Sequence, residues 1–161
     1  MSFLSNPFGK ATTSAPALDY DALIALDAED LAEQGIREAY ERLLPELRKF
    51  VPAPAEVQED LDPDTGRYAV RSGDFEFVLY SPNLPGSDEE SWGRATYALF
   101  TIVNRQLQSA GVLLYALNEG NDLSGIFLTE DQAEQARRSL PSKRDWPYLP
   151  RLEPPYYGQI L

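Results

Sequence analysis

Three aspartates, Asp60, Asp62 and Asp64, stand at alternating positions just ahead of Gly66. A loop that binds a hard cation such as calcium collects carboxylate oxygens at this spacing. The rest of that pattern is missing. Thr65 occupies the place of the loop's glycine, Pro63 stiffens the turn, and Arg71 stands where a bidentate glutamate is needed. The segment therefore reads as an aspartate-rich hairpin turn, and no metal is expected there. Asn118-Glu119-Gly120-Asn121-Asp122 is a second polar run, set between two apolar stretches. Glu119 and Asp122 are its candidates for contact with a partner or a cation, although Asn, Gly and Asp are also what a tight turn with positive φ requires. Gly9-Lys10-Ala11 fails as a phosphate loop, because Leu4 and Ala11 replace its first glycine and its Ser or Thr.

Histidine and cysteine are both absent. Histidine is the usual base near neutral pH and the commonest metal ligand, and cysteine is the readiest nucleophile. Their absence removes Ser-His-Asp triads, Cys-His pairs, ordinary zinc sites and disulfides. A pair of carboxylates can still hydrolyse a glycoside, but 26 acids offer no way to choose the pair. The expectation is a protein without catalytic residues or cofactor.

The net charge of −12 argues against a phosphate-binding surface, hence against nucleic acid and anionic membranes. A basic protein partner, or plain solubility, suits the charge better. The middle of the chain is the most acidic, with ten acids and three bases over residues 51–100. No segment approaches the ~20 apolar residues of a membrane span. The first residues lack the basic start and apolar run of a secretory signal, so the cytoplasm is the default location.

Residues 1–18 carry no hydrophobic period and read as a flexible leader; a single α+β domain is expected over 19–140. Asp27 is a candidate helix cap, and Ile36, Tyr40, Leu43, Leu47 and Phe50 follow at spacings of three and four, one face of a helix. Pro45 should kink or restart it. Strands are expected over 56–61, 67–71 and 74–80, with Phe75, Phe77 and Leu79 on one buried face. Ser87 to Glu90 reads as a capping box opening a helix that runs to about Ala110, ahead of Gly111. That helix is apolar on more than one side, which suggests a homodimer packed through it. Two strands over 112–117 and 123–128 and a last helix opened by a Thr129/Gln132 box complete the order. The fold class is α+β: helix, three strands, helix, two strands, helix, with a largely antiparallel sheet and helices packed on it.

Residues 141–161 form a carboxyl-terminal arm rich in proline and aromatics. Trp146, Tyr148, Tyr156 and Tyr157 offer large amphipathic contact area on a stiff backbone. They are either a strap over the chain's own core or contacts for a partner.

The element order, together with Ala98-Leu99-Phe100-Thr101-Ile102-Val103-Asn104 and the hairpin that follows to Leu128, resembles type III secretion chaperones and their fold relatives. The resemblance implies a homodimer that binds an extended client segment and has no enzymatic activity. A toxin-neutralising immunity protein would share the acidity and size. The leading expectation is therefore a non-enzymatic acidic protein-binding module, a chaperone-like adaptor or an immunity-type inhibitor of a basic protein. The alternative is a small-molecule binder or carboxylate-dependent enzyme with a pocket between sheet and helices.

Overall fold

A computed structural model describes residues 17–153 and 157–159, the side chains of 87–89 excepted. The leader up to residue 16 and Tyr156 lie outside the described residues, as does the Ser87 hydroxyl expected to cap a helix.

Strand β1 is only Ile24–Ala25. Asp27 then caps a helical turn at Ala28–Asp30, its Oδ1 accepting from the amides of Glu29 (3.0 Å) and Asp30 (3.4 Å). The helix does not run straight on. Glu33 (φ −96°, ψ 47°) and Gln34 (φ 72°, ψ 26°) break it, and helix α1, Ile36–Leu47, starts afresh. Gly35 permits the break, since a Cβ there would lie 2.3 Å from the Asp30 carbonyl oxygen.

A restarted helix exposes new amides that need acceptors. They find them on the neighbouring strands: the Ile36 amide donates to the Tyr68 hydroxyl (3.4 Å) and the Arg37 amide to Glu59 Oε2 (3.3 Å). Tyr68 in turn donates a short hydrogen bond to Glu59. Pro45, expected to kink or restart the helix, lies inside α1 without interrupting it. The helix ends within two residues of it, so its missing amide costs one bond on an exposed edge.

Strands β2 (Gln58–Leu61), β3 (Tyr68–Ser72) and β4 (Phe75–Tyr80) form an antiparallel meander in the order β2-β3-β4. Helix α2, Ser87–Arg105, follows, its N-cap Gly86 left-handed at φ 71°. It ends earlier than the expected Ala110, and further turns lead to Gly111 at φ 79°. Strands β5 (Leu113–Leu117) and β6 (Ser124–Leu128) then form a hairpin, with β1 added outside β6 in the order β1-β6-β5. Helix α3, Glu130–Ser139, carries the anticipated capping box: the Gln132 amide donates to Thr129 Oγ1 (3.1 Å), and the Thr129 amide to Gln132 Oε1 (2.8 Å).

The fold is α+β, with two antiparallel three-stranded sheets instead of one. Helix α2 separates them. Its Ala95, Ala98, Leu99, Phe100, Ile102 and Val103 are buried in one core with α1, with Val70 and Leu79 of the first sheet, and with Leu114 and Ala116 of the second. These sides of α2 have neighbours within the chain, while Trp92 near its start is exposed. The opposite face of β5 and β6 buries Tyr115, Leu117, Ile126 and Leu128 against Ala133 and Ala136 of α3 and against Leu18. Both faces of that hairpin are covered, so its strands read as apolar runs without alternation.

Strand β4 departs from its expected pattern. Leu79 is buried, Phe77 half-buried and Phe75 exposed. Phe75 lies at the hairpin end of β4, where the Arg105 guanidinium covers its ring at 3.0 Å from the centroid. No helix among the described residues is long and apolar enough to cross a membrane.

Candidate functional site

The aspartate triplet folds as a turn that uses its own oxygens. Asp62 Oδ1 accepts from the Asp64 amide (2.9 Å), and the Gly66 amide donates to the Asp62 carbonyl (2.7 Å). The bond from the Asp64 amide, with one from the Thr65 hydroxyl, holds the Asp62 carboxyl below its ordinary range. Among the described residues no three acidic groups come close enough to hold a metal ion.

The second polar run is also a turn by construction, with Asn118 at φ 62° and Gly120 at φ 60°. It is held from two sides. Asn121 Nδ2 donates to Asp27 Oδ1 and Glu29 Oε1, both at 3.1 Å, which ties the turn to the start of the helical region. On the other side the Asn118 carbonyl accepts the Tyr148 hydroxyl at 2.6 Å.

Tyr148 belongs to the arm, and the arm lies on the chain's own domain. The Tyr148 amide donates to the Ala116 carbonyl (3.0 Å) and the Ala116 amide to the Tyr148 carbonyl (2.7 Å), so one residue of the arm pairs with β5 as a strand would. Its ring is 5% exposed. Burial, with Glu119's negative charge as a smaller cause, pushes its hydroxyl far above the ordinary tyrosine range. Next to it, the Pro147 carbonyl accepts from Nε (3.2 Å) and Nη2 (3.0 Å) of Arg137 on α3. Trp146, half-buried, donates its indole N–H to the Leu140 carbonyl at 3.0 Å.

The arm then crosses to α2. The Tyr157 ring lies flat against Gly93, with three ring carbons 2.2–2.4 Å from where a Cβ on Gly93 would sit. The Tyr157 hydroxyl is buried without a hydrogen-bond partner among the described residues. Burial raises its pKa, Glu90 adds to the rise and Arg94 opposes it. A tight return places the Tyr157 carbonyl on the Arg151 amide (2.8 Å) and brings Gln159 back beneath the arm.

These pieces enclose one cleft of about 310 Å3, lined by Asn118, Glu119, Asp122, Ser142, Arg144, Asp145 and Gln159. The two acids singled out from sequence are thus brought together with the arm, in a cleft carrying three carboxylates and one guanidinium. Trp146, Tyr148 and Tyr157 are packed on the domain around it and do not line it. Ser142, Arg144, Asp145 and Gln159 were not singled out as site residues.

Gln159 is the unusual one. It is 7% exposed, its Nε2 makes a single long bond to the Arg144 carbonyl (3.4 Å), and its Oε1 has no donor among the described residues. A buried acceptor left unmade costs ~1–3 kcal/mol. A larger groove of about 730 Å3 runs beside β6, lined by Leu18, Ala22, Ile126, Phe127, Leu128 and the outer side of α3; Asp19 is its single charged residue.

Comparisons with protein-family models, with curated proteins and with solved structures found no match to this chain.

Proposed function

We propose that the protein is a non-enzymatic binding module that recognises a basic protein partner, as a chaperone-like adaptor or an immunity-type inhibitor does. The observation that carries this reading is the cleft at Glu119 and Asp122. It collects carboxylates from two distant parts of the chain, and a hydrogen-bonded arm with buried Tyr148 brings those parts together. A net charge of −12 over 161 residues supports it, because a field of one sign steers an oppositely charged partner into contact. The packed arm supports it too, since a backbone already held by hydrogen bonds loses little freedom on binding.

The test is affinity capture from the native lysate with the wild-type chain and with the Glu119→Gln/Asp122→Asn double variant, at low salt and at 1 M, where the screening length falls to ~3 Å. A partner of basic composition, lost at high salt and lost with the double variant, supports the reading. A partner retained in both cases, or an acidic one, refutes it.

A further inference from the structure

Strand β6 is covered along only part of its outer edge. On β5, Leu114 gives its amide to Asn104 and Ala116 gives its amide to the Tyr148 carbonyl, so both face away from β6. Their ladder partners Phe127 and Gly125 must then direct amide and carbonyl away from β5, toward the β1 side. Leu123, just before β6, uses that side as well, its carbonyl accepting from the Leu26 (2.9 Å) and Asp27 (3.2 Å) amides. Gly125 is met by Ile24 of β1. Phe127 is met by nothing. Strand β1 begins only at Ile24, and the chain before it turns aside through a short helical turn at Tyr20–Ala22. Among the described residues the Phe127 amide and carbonyl have no hydrogen-bond partner on this side.

The groove of about 730 Å3 borders this place, for Ile126, Phe127 and Leu128 line it in succession. Alternate side chains of a strand leave from opposite faces, so a space shared by three successive residues lies along the strand's edge. Three features name its occupant. Ala17 also lines the groove, so residues 1–16 join the fold at its wall. A segment tethered by a few residues reaches an effective concentration of order millimolar at such a site. Charge agrees: residues 1–18 carry no acid and one base, Lys10, in a chain of net charge −12, and the charged residue of the groove is Asp19. Residue type agrees too. Ala11-Thr12-Thr13-Ser14-Ala15 holds two β-branched residues and neither proline nor glycine, and Pro16 favours extended backbone at Ala15. We propose that residues 11–15 dock in this groove as a strand added to β6, one of them exchanging backbone hydrogen bonds with Phe127. The leader is then an internal cover for an edge on which another molecule could otherwise pair.

The experiment is amide hydrogen exchange by NMR on the full chain, at low and high protein concentration. In the wild type the Phe127 amide should exchange slowly, as the Gly125 amide does, at both concentrations. Nuclear Overhauser contacts should join Phe127 to residues 11–15. The Thr12→Pro/Thr13→Pro variant removes the N–H of two successive residues, so no register of the segment keeps a regular ladder. Exchange at Phe127 should then quicken about tenfold, as the loss of one hydrogen bond does, while Gly125 keeps its protection because β1 is untouched. A Phe127 amide already open in the wild type overturns the proposal, and so does the absence of those contacts. Protection that survives both prolines overturns it as well, since something other than this segment covers the edge. Protection found only at high concentration assigns the edge to a second copy and refutes the internal strand.

Discussion

Replacing Gly93 by alanine should have an effect whose sign depends on a residue 64 positions away in the arm. Inside a helix, alanine is favoured over glycine by ~0.8–1.0 kcal/mol, so an unobstructed substitution would stabilise the protein. Gly93 is obstructed. Its new methyl group would meet Cε2 and Cζ of Tyr157 at 2.2 Å and Cδ2 at 2.4 Å, against the ~3.5–4.0 Å of ordinary carbon contact. The ring cannot slide out of three overlaps at once; it must lift by more than 1 Å or leave. Full burial of a large apolar side chain is worth ~1.5–3 kcal/mol, and this half-exposed ring with an unpartnered hydroxyl holds roughly half of that. The two effects nearly cancel in the wild-type background, giving a change from about zero to −1 kcal/mol. In a Tyr157→Ala background the three atoms nearest to the new methyl group are gone, and Gly93→Ala should stabilise by about 1 kcal/mol. Urea unfolding of the four proteins gives the coupling directly, expected at ~1–2 kcal/mol. If Gly93→Ala stabilises both backgrounds equally, within ~0.5 kcal/mol, the ring does not rest on α2 and the account of the arm is wrong.

Two further outcomes follow from the same interior. Asn104 Oδ1 accepts the Leu114 amide (2.7 Å) and its Nδ2 donates to the Leu114 carbonyl (3.0 Å), so Asn104→Ala strands both groups and should cost ~2–3 kcal/mol in denaturant unfolding; a loss below ~0.5 kcal/mol would show that water replaces the amide. Tyr68 and Tyr148 have hydroxyls pushed well above 10, chiefly by burial and next by Glu59 and Glu119 respectively. The unfolded chain loses these protons near pH ~10 while the folded chain keeps them, so stability is level below pH 10 and falls as pH rises beyond it. Tyrosinate absorbance should then show at least two of the nine tyrosines ionising only as the circular dichroism of the fold disappears; nine tyrosines titrating together near pH 10 in a folded protein would refute this.

What could be read from the sequence was local. The face of Ile36, Tyr40, Leu43 and Leu47, the Thr129/Gln132 box and the left-handed Asn118 and Gly120 each depend on neighbours within a few residues, and each lies where its spacing indicates. The break at Gln34 could not be read, because what makes it tolerable is Glu59 and Tyr68, contributed by strands 22 and 32 residues from the amides they accept. Strand β1 is two residues long and has no period to detect. The division into two sheets depends on α2 passing between them, which a meander and a hairpin do not reveal. In the cleft, Glu119 and Asp122 stood out because a polar turn between apolar strands is conspicuous, whereas Gln159 acquires meaning only once the arm has folded back. Gly93 did carry a signal: glycine inside a helix is a mark of close approach by another part of the chain.

The hydrogen bonds that Asn104 and Tyr148 make to β5 also bear on how the protein behaves when crowded. Leu114 and Ala116 are alternate residues of one strand, and both direct their amide and carbonyl outward, away from β6. A strand so placed is a template on which another molecule can add its own strand, the first step toward fibrous aggregates. One side-chain amide and one residue of an irregular tail occupy all four groups, and neither can be extended into a further strand. Pro147 and Pro150 flank Tyr148 and lack the N–H groups that continued pairing would need. Resistance to polymerisation on this side of the molecule therefore rests on two residues, and damage to the arm would threaten the solubility of every copy in solution together with the stability of one.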